Sequence, residues 1–284
     1  MKSLKMSPKP FSVSHTKLST FRRCLQKYHW MYVDKYYPPP GVGQARGSAG
    51  HSALAKWHVD YNSQTAMDAA WIVWESNGYG QGDDWQLLED ALNRYFPWSL
   101  KNDNFKLLSA EEKFEIEFDI SEYGYENIEP FTFIGYIDGI VEEDGHKWLL
   151  ENKFYKRMDK SSKEMDQQST MYLLAAQLLG YDVRGVIYNM VRVADSKVAV
   201  TEPVVRQRVF RNASGLEKVQ HEVQIQTADM QSYHMRGGMP YRNMTKDCSW
   251  DCPFYNPCLS MLDDGQDPTE ILQSLVNIRR TNAE

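Results

Sequence analysis

The sequence has little cysteine and no long apolar run. It contains 4 cysteines in 284 residues, and nowhere do the roughly eighteen consecutive apolar residues of a transmembrane helix occur. Its basic start, MKSLKMSPKP, lacks the apolar stretch of a signal peptide. We therefore expect no membrane span, and we expect a cytoplasmic protein whose cysteines are metal ligands or free thiols rather than disulfides.

The chain also lacks an excess of positive charge. The net charge is −6 and the sequence pI is about 5.7, which argues against a broad, sequence-independent coat for nucleic acid. A local basic groove around an acidic active site stays compatible with these values. There is no internal repeat and no low-complexity block, and the length allows one large domain or two small ones.

The most informative stretch runs from Phe133 to Lys153 and predicts a β-hairpin. Alternating residues lead up to Asp144-Gly145, one of the strongest two-residue hairpin turns, and alternation resumes after it. If these two residues form the loop, Glu143 faces His146. Every other cross-strand pair of the hairpin then follows from this one.

This register sets Asp138 directly opposite Glu151, with Lys153 projecting from the same face. Directly opposed like charges are destabilising, so the pair needs a reason. A divalent cation such as magnesium or manganese held by the two carboxylates is one, and the backbone carbonyl of Asn152 could add a ligand. A solvated surface salt bridge is the ordinary alternative.

The rest of the chain predicts a mixed sheet with helices. The elements are a helix from Ser14 that contains Cys24, a glycine-bearing loop and second helix around His51, helices over 64–108, strands from Glu111, a helix capped by Ser161 or Ser162, a strand over 183–193, and a helix from Gly215 to His234. Strand, helix and strand within about forty residues indicate a βαβ crossover.

Further polar residues could serve the site, although each also has an ordinary structural explanation. Gln168 and Tyr172 share a helical face and could contact phosphate or water, or form an amphipathic edge. His51 could complete the metal shell or be structural. A basic run after the hairpin is either a path for the DNA backbone or a solvated helix start: Lys153, Lys156, Arg157, Lys160 and Lys163.

All four cysteines fit one metal centre. Cys248, Cys252 and Cys258 are spaced C-x3-C-x5-C, and Cys24 comes from the other end of the chain. Four thiolates suit tetrahedral zinc or a 4Fe–4S cluster. The spacing lacks the paired C-x2-C of zinc knuckles, which favours the cluster, and four unrelated thiols are the remaining alternative.

The ordered set of motifs resembles the PD-(D/E)XK nuclease superfamily, specifically the RecB-like branch with an iron–sulfur cluster. That branch includes CRISPR-associated RecB-like exonucleases, phage homologues and the AddB nuclease domain. The motifs are the first cysteine at Cys24, G-x-x-x-H at Gly47–His51, G-x-x-D at Gly135–Asp138, E-x-K at Glu151–Lys153, Q-x-x-x-Y at Gln168–Tyr172, and Cys248, Cys252 and Cys258. The three-residue first cysteine gap and Phe154 after the lysine indicate a divergent subgroup.

The resemblance implies a restriction-endonuclease-like fold, with a mixed β-sheet core flanked by helices. A single nuclease domain would span residues 14–262, between tails at 1–13 and 263–284. Within it we expect a helical region (14–110), the nuclease core (111–195), and a C-terminal helix with the cysteine cluster (196–262). The cluster would join the two ends of the chain.

The resemblance also implies roles for these residues. His51, Asp138, Glu151 and the Asn152 carbonyl would bind Mg²⁺ or Mn²⁺, and Lys153 would be the catalytic lysine. Gln168, Tyr172, Lys156 and Arg157 would support the site and contact DNA. The four cysteines would hold a structural 4Fe–4S cluster, with zinc as the alternative.

We therefore predict a metal-dependent DNA exonuclease that acts on single-stranded ends in recombination, repair or replication, with protein partners in those processes. The competing prediction is a non-catalytic nucleic-acid-binding or assembly module on a degenerate nuclease fold. The intact acidic pair and lysine argue against the second, because a binder gains nothing from two carboxylates facing phosphate.

Overall fold

A mixed β-sheet separates two layers of helices in the computed structural model of the chain. The structure describes residues 11–119, 128–156, 161–194, 199–237, 239–263 and 267–281. The strands are β1 (Phe11–Val13), β2 (Lys106–Phe118), β3 (Phe131–Glu143), β4 (His146–Tyr155), β5 (Val183–Arg192) and β6 (Val204–Phe210). Within the described residues these strands form one six-stranded sheet.

The helices lie before, between and after the strands. They are α1 (His15–Arg23), α2 (Leu25–Tyr28), α3 (Val42–Asp60), α4 (Ser63–Ser76), α5 (Asp83–Asn102), α6 (Ser161–Glu164), α7 (Gln167–Leu178), α8 (Ala213–Met235), α9 (Cys248–Asp251), α10 (Tyr255–Asp263) and α11 (Thr269–Thr281). A π-helical turn, His29–Val33, continues α2. Across the described ranges, none of the helices is both long and apolar enough to span a membrane.

The β3–β4 hairpin has the predicted register. Glu143 pairs with His146, and the ladder continues to Gly139 opposite Leu150. Asp144 and Gly145 adopt φ angles of 52° and 73°, as the left-handed residues of a type I′ turn require. The turn therefore sets which side chains share a face along both strands.

The predicted βαβ crossover is also confirmed. Strand β4 leads through α6 and α7 to β5, which pairs parallel to β4, with Glu151 beside Tyr188. Strand β2 pairs antiparallel with β3, and β6 pairs antiparallel with β5. The site strands β3 and β4 therefore lie inside the sheet rather than at its edges.

Each face of the sheet has its own hydrophobic core. One core joins the sheet to α1, α7 and α8, and its largest buried side chains include Tyr28, Phe114 and Phe133. The other joins it to α3, α4 and α5 around Trp57, Trp74 and Tyr95. The helix that carries His51 and the helix that carries Gln168 therefore approach the sheet from opposite faces.

The two ends of the described chain pack against each other. Trp30 packs against Phe254 with tilted rings whose centroids are 5.4 Å apart, and Leu272 of α11 is buried with them. The Gln26 amide donates to the Tyr241 carbonyl at 3.0 Å. Apolar contacts and backbone hydrogen bonds thus hold the C-terminal segment on the N-terminal helices.

Several predicted element bounds are corrected. The helix that begins after Ser14 breaks at Cys24, whose φ of −161° is extended and which separates α1 from α2. Helix α3 already begins at Val42, so Gly47 lies inside a helix rather than at a loop-to-helix junction. The alanines, the glutamine and the arginine of that stretch are good helix formers and offset its glycines.

The strand and cap predictions also need correction. Strand β2 begins at Lys106, five residues before Glu111, while β1 and β6 were not predicted. The residues Ser161 and Ser162 begin only the one-turn helix α6, and the cap of α7 is Asp166, whose side chain accepts from the Ser169 amide. Short strands that pair only with distant segments leave little local pattern.

Gly50 sets how closely α3 approaches β4, and its replacement tests this contact. A Cβ at Gly50 would lie 2.4 Å from the ring of Phe154, whereas a Cβ at Gly47 meets nothing within 4 Å. We predict that Gly50→Ala lowers the free energy of unfolding by about 1–3 kcal/mol through overpacking. Gly47→Ala, the matched control, should raise it by about 1 kcal/mol through helix propensity.

Urea unfolding followed by circular dichroism measures both variants. Equal effects of the two alanines would contradict the close packing of α3 on β4.

Candidate active site

Strands β3 and β4 separate where the acidic residues lie. The β3–β4 ladder ends at Gly139 opposite Leu150, and Asp138 and Glu151 are the next residues in the same register. Here the Asn152 amide donates to Asp138 Oδ2 at 2.7 Å. A side-chain carboxylate thus takes the place of a backbone carbonyl, and the fork between the strands opens beside the two acids.

Glu151 is a buried acid with only part of its hydrogen-bonding capacity used. It is 1% exposed, Lys153 Nζ donates to its Oε1, and its Oε2 is buried without a hydrogen-bond partner. Burial, together with the nearby Asp138 carboxylate, raises the pKa of Glu151 to about 7. A second cation beside this carboxylate would stabilise its ionised form.

Lys153 is held between the acid and the α7 helix. Burial alone would lower its pKa, but Glu151 and Asp138 raise it above the ordinary value, so the side chain carries its proton. Its Nζ also lies 3.5 Å from Gln168 Oε1, and Gln168 Nε2 donates to the Tyr172 hydroxyl at 3.2 Å. The helix after the hairpin therefore covers the lysine, and Gln168 and Tyr172 share one helical face as their spacing predicts.

His51 reaches the same site from α3. Its Nδ1 lies 3.0 Å from Asp138 Oδ1. Burial lowers the pKa of His51, but the Asp138 and Glu151 carboxylates raise it, and the net shift is upward. Asp138 therefore contacts His51 through one carboxylate oxygen and accepts from the Asn152 backbone amide through the other.

The sequence places all of these residues in one known family. A family model for the PD-(D/E)XK nuclease superfamily matches residues 12–259. The chain belongs to this superfamily. The match covers all of the sheet except Phe11, together with the helices on both of its faces. The superfamily prediction is therefore confirmed, while its iron–sulfur branch stays a prediction.

Two solved structures resemble this nuclease-superfamily chain at low identity. A protein named SSO0001 aligns with a TM-score of 0.39 and 13% identity, over 88% of this chain and 87% of its own. A protein named "Putative exonuclease" from Eubacterium rectale aligns with a TM-score of 0.49 and 11% identity, over 84% and 86% of the two chains. Comparison with curated protein sequences gives no match. Membership of the superfamily therefore depends on the family model alone.

The donor set of this nuclease-superfamily site fits a hard divalent cation. His51, Asp138 and Glu151 converge beside the Asn152 backbone, and the unpartnered Oε2 of Glu151 offers a free oxygen. Across the described ranges, however, no three His, Cys, Asp or Glu side chains are yet spaced to hold a metal ion. Cation binding would exchange the His51–Asp138 contact for metal contacts.

The four cysteines line one cavity at the other end of the chain. Cys24, Cys248, Cys252 and Cys258 surround a space of about 250 Å³, together with Arg23, Lys27 and Arg242. Burial and the neighbouring thiols raise the pKa of Cys258 to about 11. Within the described part of the chain these thiols are not spaced to hold a metal ion either, so they share a cavity without forming a ready coordination shell.

Among the described residues of the basic run, Lys163 does not share an exposed surface with Lys156. Lys156 is exposed, and Lys163 is buried 5.2 Å from the ring centroid of Tyr155. Arg157 and Lys160 lie outside the described residues. Of the two alternatives, Lys163 fits neither, because a lysine packed on tyrosine rings faces neither solvent nor a strand of DNA.

Two neighbours of the site were not identified from the sequence. Glu111, at a φ of 50°, lines the groove beside His51, and partial burial and Asp138 raise its pKa. Asn189 Nδ2 donates to Asn152 Oδ1 at 2.9 Å. Asn189 interrupts the apolar run VIYNMV, and a polar residue inside a buried strand was the available signal.

The raised pKa of Glu151 predicts a pH dependence of stability. The unfolded chain releases this proton near the ordinary value of 4.5, whereas the folded chain keeps it to about pH 7. The carboxyl thus stabilises the fold below about pH 4.5, and this contribution is lost as the pH rises to 7. Glu151→Gln, which cannot ionise, should gain stability relative to wild type across that window.

Urea unfolding of metal-free protein at several pH values measures this difference. Glu117→Gln, an exposed change on β2, is the control and should run parallel to wild type. A Glu151→Gln curve parallel to wild type would contradict the raised pKa.

Proposed function

We propose that the protein is a metal-dependent DNA exonuclease that hydrolyses phosphodiester bonds from single-stranded ends. The observation that carries this is the buried Glu151 carboxylate, with Lys153 on one oxygen and no partner on the other. A buried carboxylate with one free oxygen, close to a second carboxylate, indicates that this pair binds a cation for phosphate chemistry rather than serving a structural role. Action on ends follows from the resemblance of the ordered motifs to RecB-like exonucleases.

Asp138, Glu151, His51 and the Asn152 carbonyl would hold Mg²⁺ or Mn²⁺. When bound, the cation supplies positive charge to the attacked phosphate and lowers the pKa of a coordinated water. The Asn152 amide keeps Asp138 turned towards the site through its 2.7 Å hydrogen bond. This bond orients the carboxylate before any ligand arrives.

Lys153 supplies the protein's own positive charge. Its ammonium keeps its proton because Glu151 and Asp138 raise its pKa, so it stabilises negative charge on the phosphate and orients the attacking water rather than accepting a proton. Gln168 fixes the ammonium from the α7 side, and the Tyr172 hydroxyl fixes Gln168. Burial raises the pKa of Tyr172, so that hydroxyl stays protonated and can donate.

Lys153→Ala tests the proposal. We predict a loss of roughly 10²–10³ in cleavage rate, the usual effect of removing one group that stabilises the transition state. End-labelled single- and double-stranded DNA with Mn²⁺ or Mg²⁺ provides the assay, and Asp138→Ala and Glu151→Ala should be similarly inactive. Lys113→Ala removes an exposed lysine of β2 paired with Glu115 and is the matched control.

Wild-type rates in the Lys153→Ala variant would overturn the assignment. DNA binding by wild type without any cleavage under either metal would favour the non-catalytic module instead. Internal cleavage of circular DNA would show endonuclease activity and overturn the assignment as an exonuclease.

We also propose that the four cysteines hold a structural 4Fe–4S cluster that joins the ends of the chain. The shared cavity and the three cationic side chains around it support this, because four thiolates bring negative charge. The raised pKa values of Cys252 and Cys258 imply that these two free thiols stay protonated and that a metal centre must displace their protons. The apolar contact of Trp30 with Phe254 places both cysteine-bearing segments beside the cavity.

Anaerobic purification tests the cluster. We predict a brown protein that absorbs near 400 nm and contains iron and sulfide, and Cys252→Ser should lose both and unfold at a lower temperature. Ser249→Ala, a neighbouring change that spares the thiols, is the control. Colourless protein with stoichiometric zinc and no iron, prepared without air, would replace the cluster by zinc.

A further inference from the structure

A buried polar network lies behind the proposed cation site. The amide of Asn189 donates from Nδ2 to Asn152 Oδ1 at 2.9 Å and to the Tyr95 hydroxyl at 3.0 Å. Arg206 Nε donates to Asn189 Oδ1 at 3.2 Å. Because arginine can only donate, this contact fixes which end of the Asn189 amide faces Asn152 and Tyr95.

The network reaches a second element through Tyr95. The Tyr95 hydroxyl lies 2.9 Å from Nε2 of His58, which sits on α3. His58 and His51 are seven residues apart on that helix, about two turns. The Tyr95 hydroxyl therefore contacts the helix that carries His51 directly. It contacts the strand that carries Asn152 through Asn189.

Charged groups close the far end of the network. Arg206 pairs with Asp103, and Asp103 Oδ2 lies 3.6 Å from His58 Nε2 and accepts from the Ser99 hydroxyl at 2.5 Å. The Asp103 side chain is 3% exposed. Its neighbours nevertheless hold the pKa of Asp103 below the ordinary value in spite of burial, so the pair stays ionised.

This arrangement carries more polar groups than packing alone requires. Tyr95 and Asn189 are fully buried, and His58 and Asn152 are nearly so. Buried polar groups stabilise less than apolar residues of the same size unless every partner is present, but a satisfied network fixes one geometry. The geometry fixed here is the spacing between α3 and β4.

We infer that the Tyr95 hydroxyl is a positioning group, which holds α3 and β4 at the separation at which His51 and Asn152 both reach Asp138. The bonds on each side of Asp138, 3.0 Å to His51 and 2.7 Å from the Asn152 amide, each depend on an element that this hydroxyl links. The inference rests on the proposed function in one respect, that the site binds a divalent cation. Loss of the hydroxyl loosens that site without removing any ligand.

Tyr95→Phe tests the inference, because it removes one oxygen and keeps the ring. Groups that support metal ligands typically change affinity by about ten- to a hundredfold, so we expect Mn²⁺ to bind about tenfold or more weakly. Titration calorimetry of folded protein with MnCl₂, without DNA, measures this. The Mn²⁺ concentration for half-maximal cleavage should rise in parallel.

Tyr28→Phe is a matched control. Tyr28 is also fully buried, and its hydroxyl lies 2.7 Å from Nε2 of another histidine, His234 on α8. Both substitutions remove a hydroxyl of similar surroundings and should lower the melting temperature alike. Only Tyr95→Phe should weaken Mn²⁺ binding.

The outcomes separate this inference from the proposed function. Wild type that binds no Mn²⁺ and cleaves nothing would contradict the proposed function itself. Wild type that binds and cleaves, with equal Mn²⁺ affinity in both variants, would overturn the positioning role alone. If Tyr95→Phe does not fold, Asn189→Ser replaces it, since this change removes the amide link to Asn152 and should weaken Mn²⁺ binding in the same way.

Discussion

The hydrogen bond from the Asn152 amide to the Asp138 carboxylate is the contact on which the site depends. Within a regular antiparallel ladder that amide would face a backbone carbonyl. Here it faces a side chain, and the two strands part at this position. The bond keeps a buried amide satisfied while it fixes the orientation of the acid. At Asp138, one hydrogen bond thus both satisfies the sheet backbone and orients the carboxylate of the site.

The electrostatics of the site follow from this fork. Asp138 is held close to Glu151, and the pair would be unfavourable in an apolar interior without compensation. Lys153 and His51 provide part of that compensation, but one oxygen of Glu151 stays unpartnered. A stable fold could relieve the strain cheaply by replacing either acid with an apolar residue. The presence of both Asp138 and Glu151 therefore favours a catalytic role for the pair over a structural one.

The hairpin was predictable because its turn is local. Asp144-Gly145 adopts the left-handed geometry that few other residue pairs tolerate, and one turn fixes every pair along the ladder. The register that brings Asp138 and Glu151 near each other could therefore be predicted from counting, as far as Gly139 opposite Leu150. The contact between Gln168 and Tyr172 was predictable for the same reason, since helical spacing is also local.

The rest of the site depends on contacts between distant segments, which sequence spacing does not encode. His51 was recognised from its motif, but the approach of α3 to β4 depends on Gly50 lying against Phe154, and the early start of α3 was missed because its glycines suggested a loop. Tyr95 had no distinguishing signal among the many aromatic residues of α5.

Different interactions stabilise the fold and fix the geometry of the site. Apolar cores on both faces of the sheet hold the layers together, and Gly50 against Phe154 limits how closely α3 approaches β4. Apolar contacts have no preferred direction, however, so they resist small sideways shifts of α3 only weakly. A hydrogen-bonded chain through Asn189 and Tyr95 does not tolerate such shifts, because hydrogen bonds weaken steeply with distance and angle. A site assembled from two layers needs the second kind of interaction, since a small displacement of α3 would break the 3.0 Å contact of His51 with Asp138.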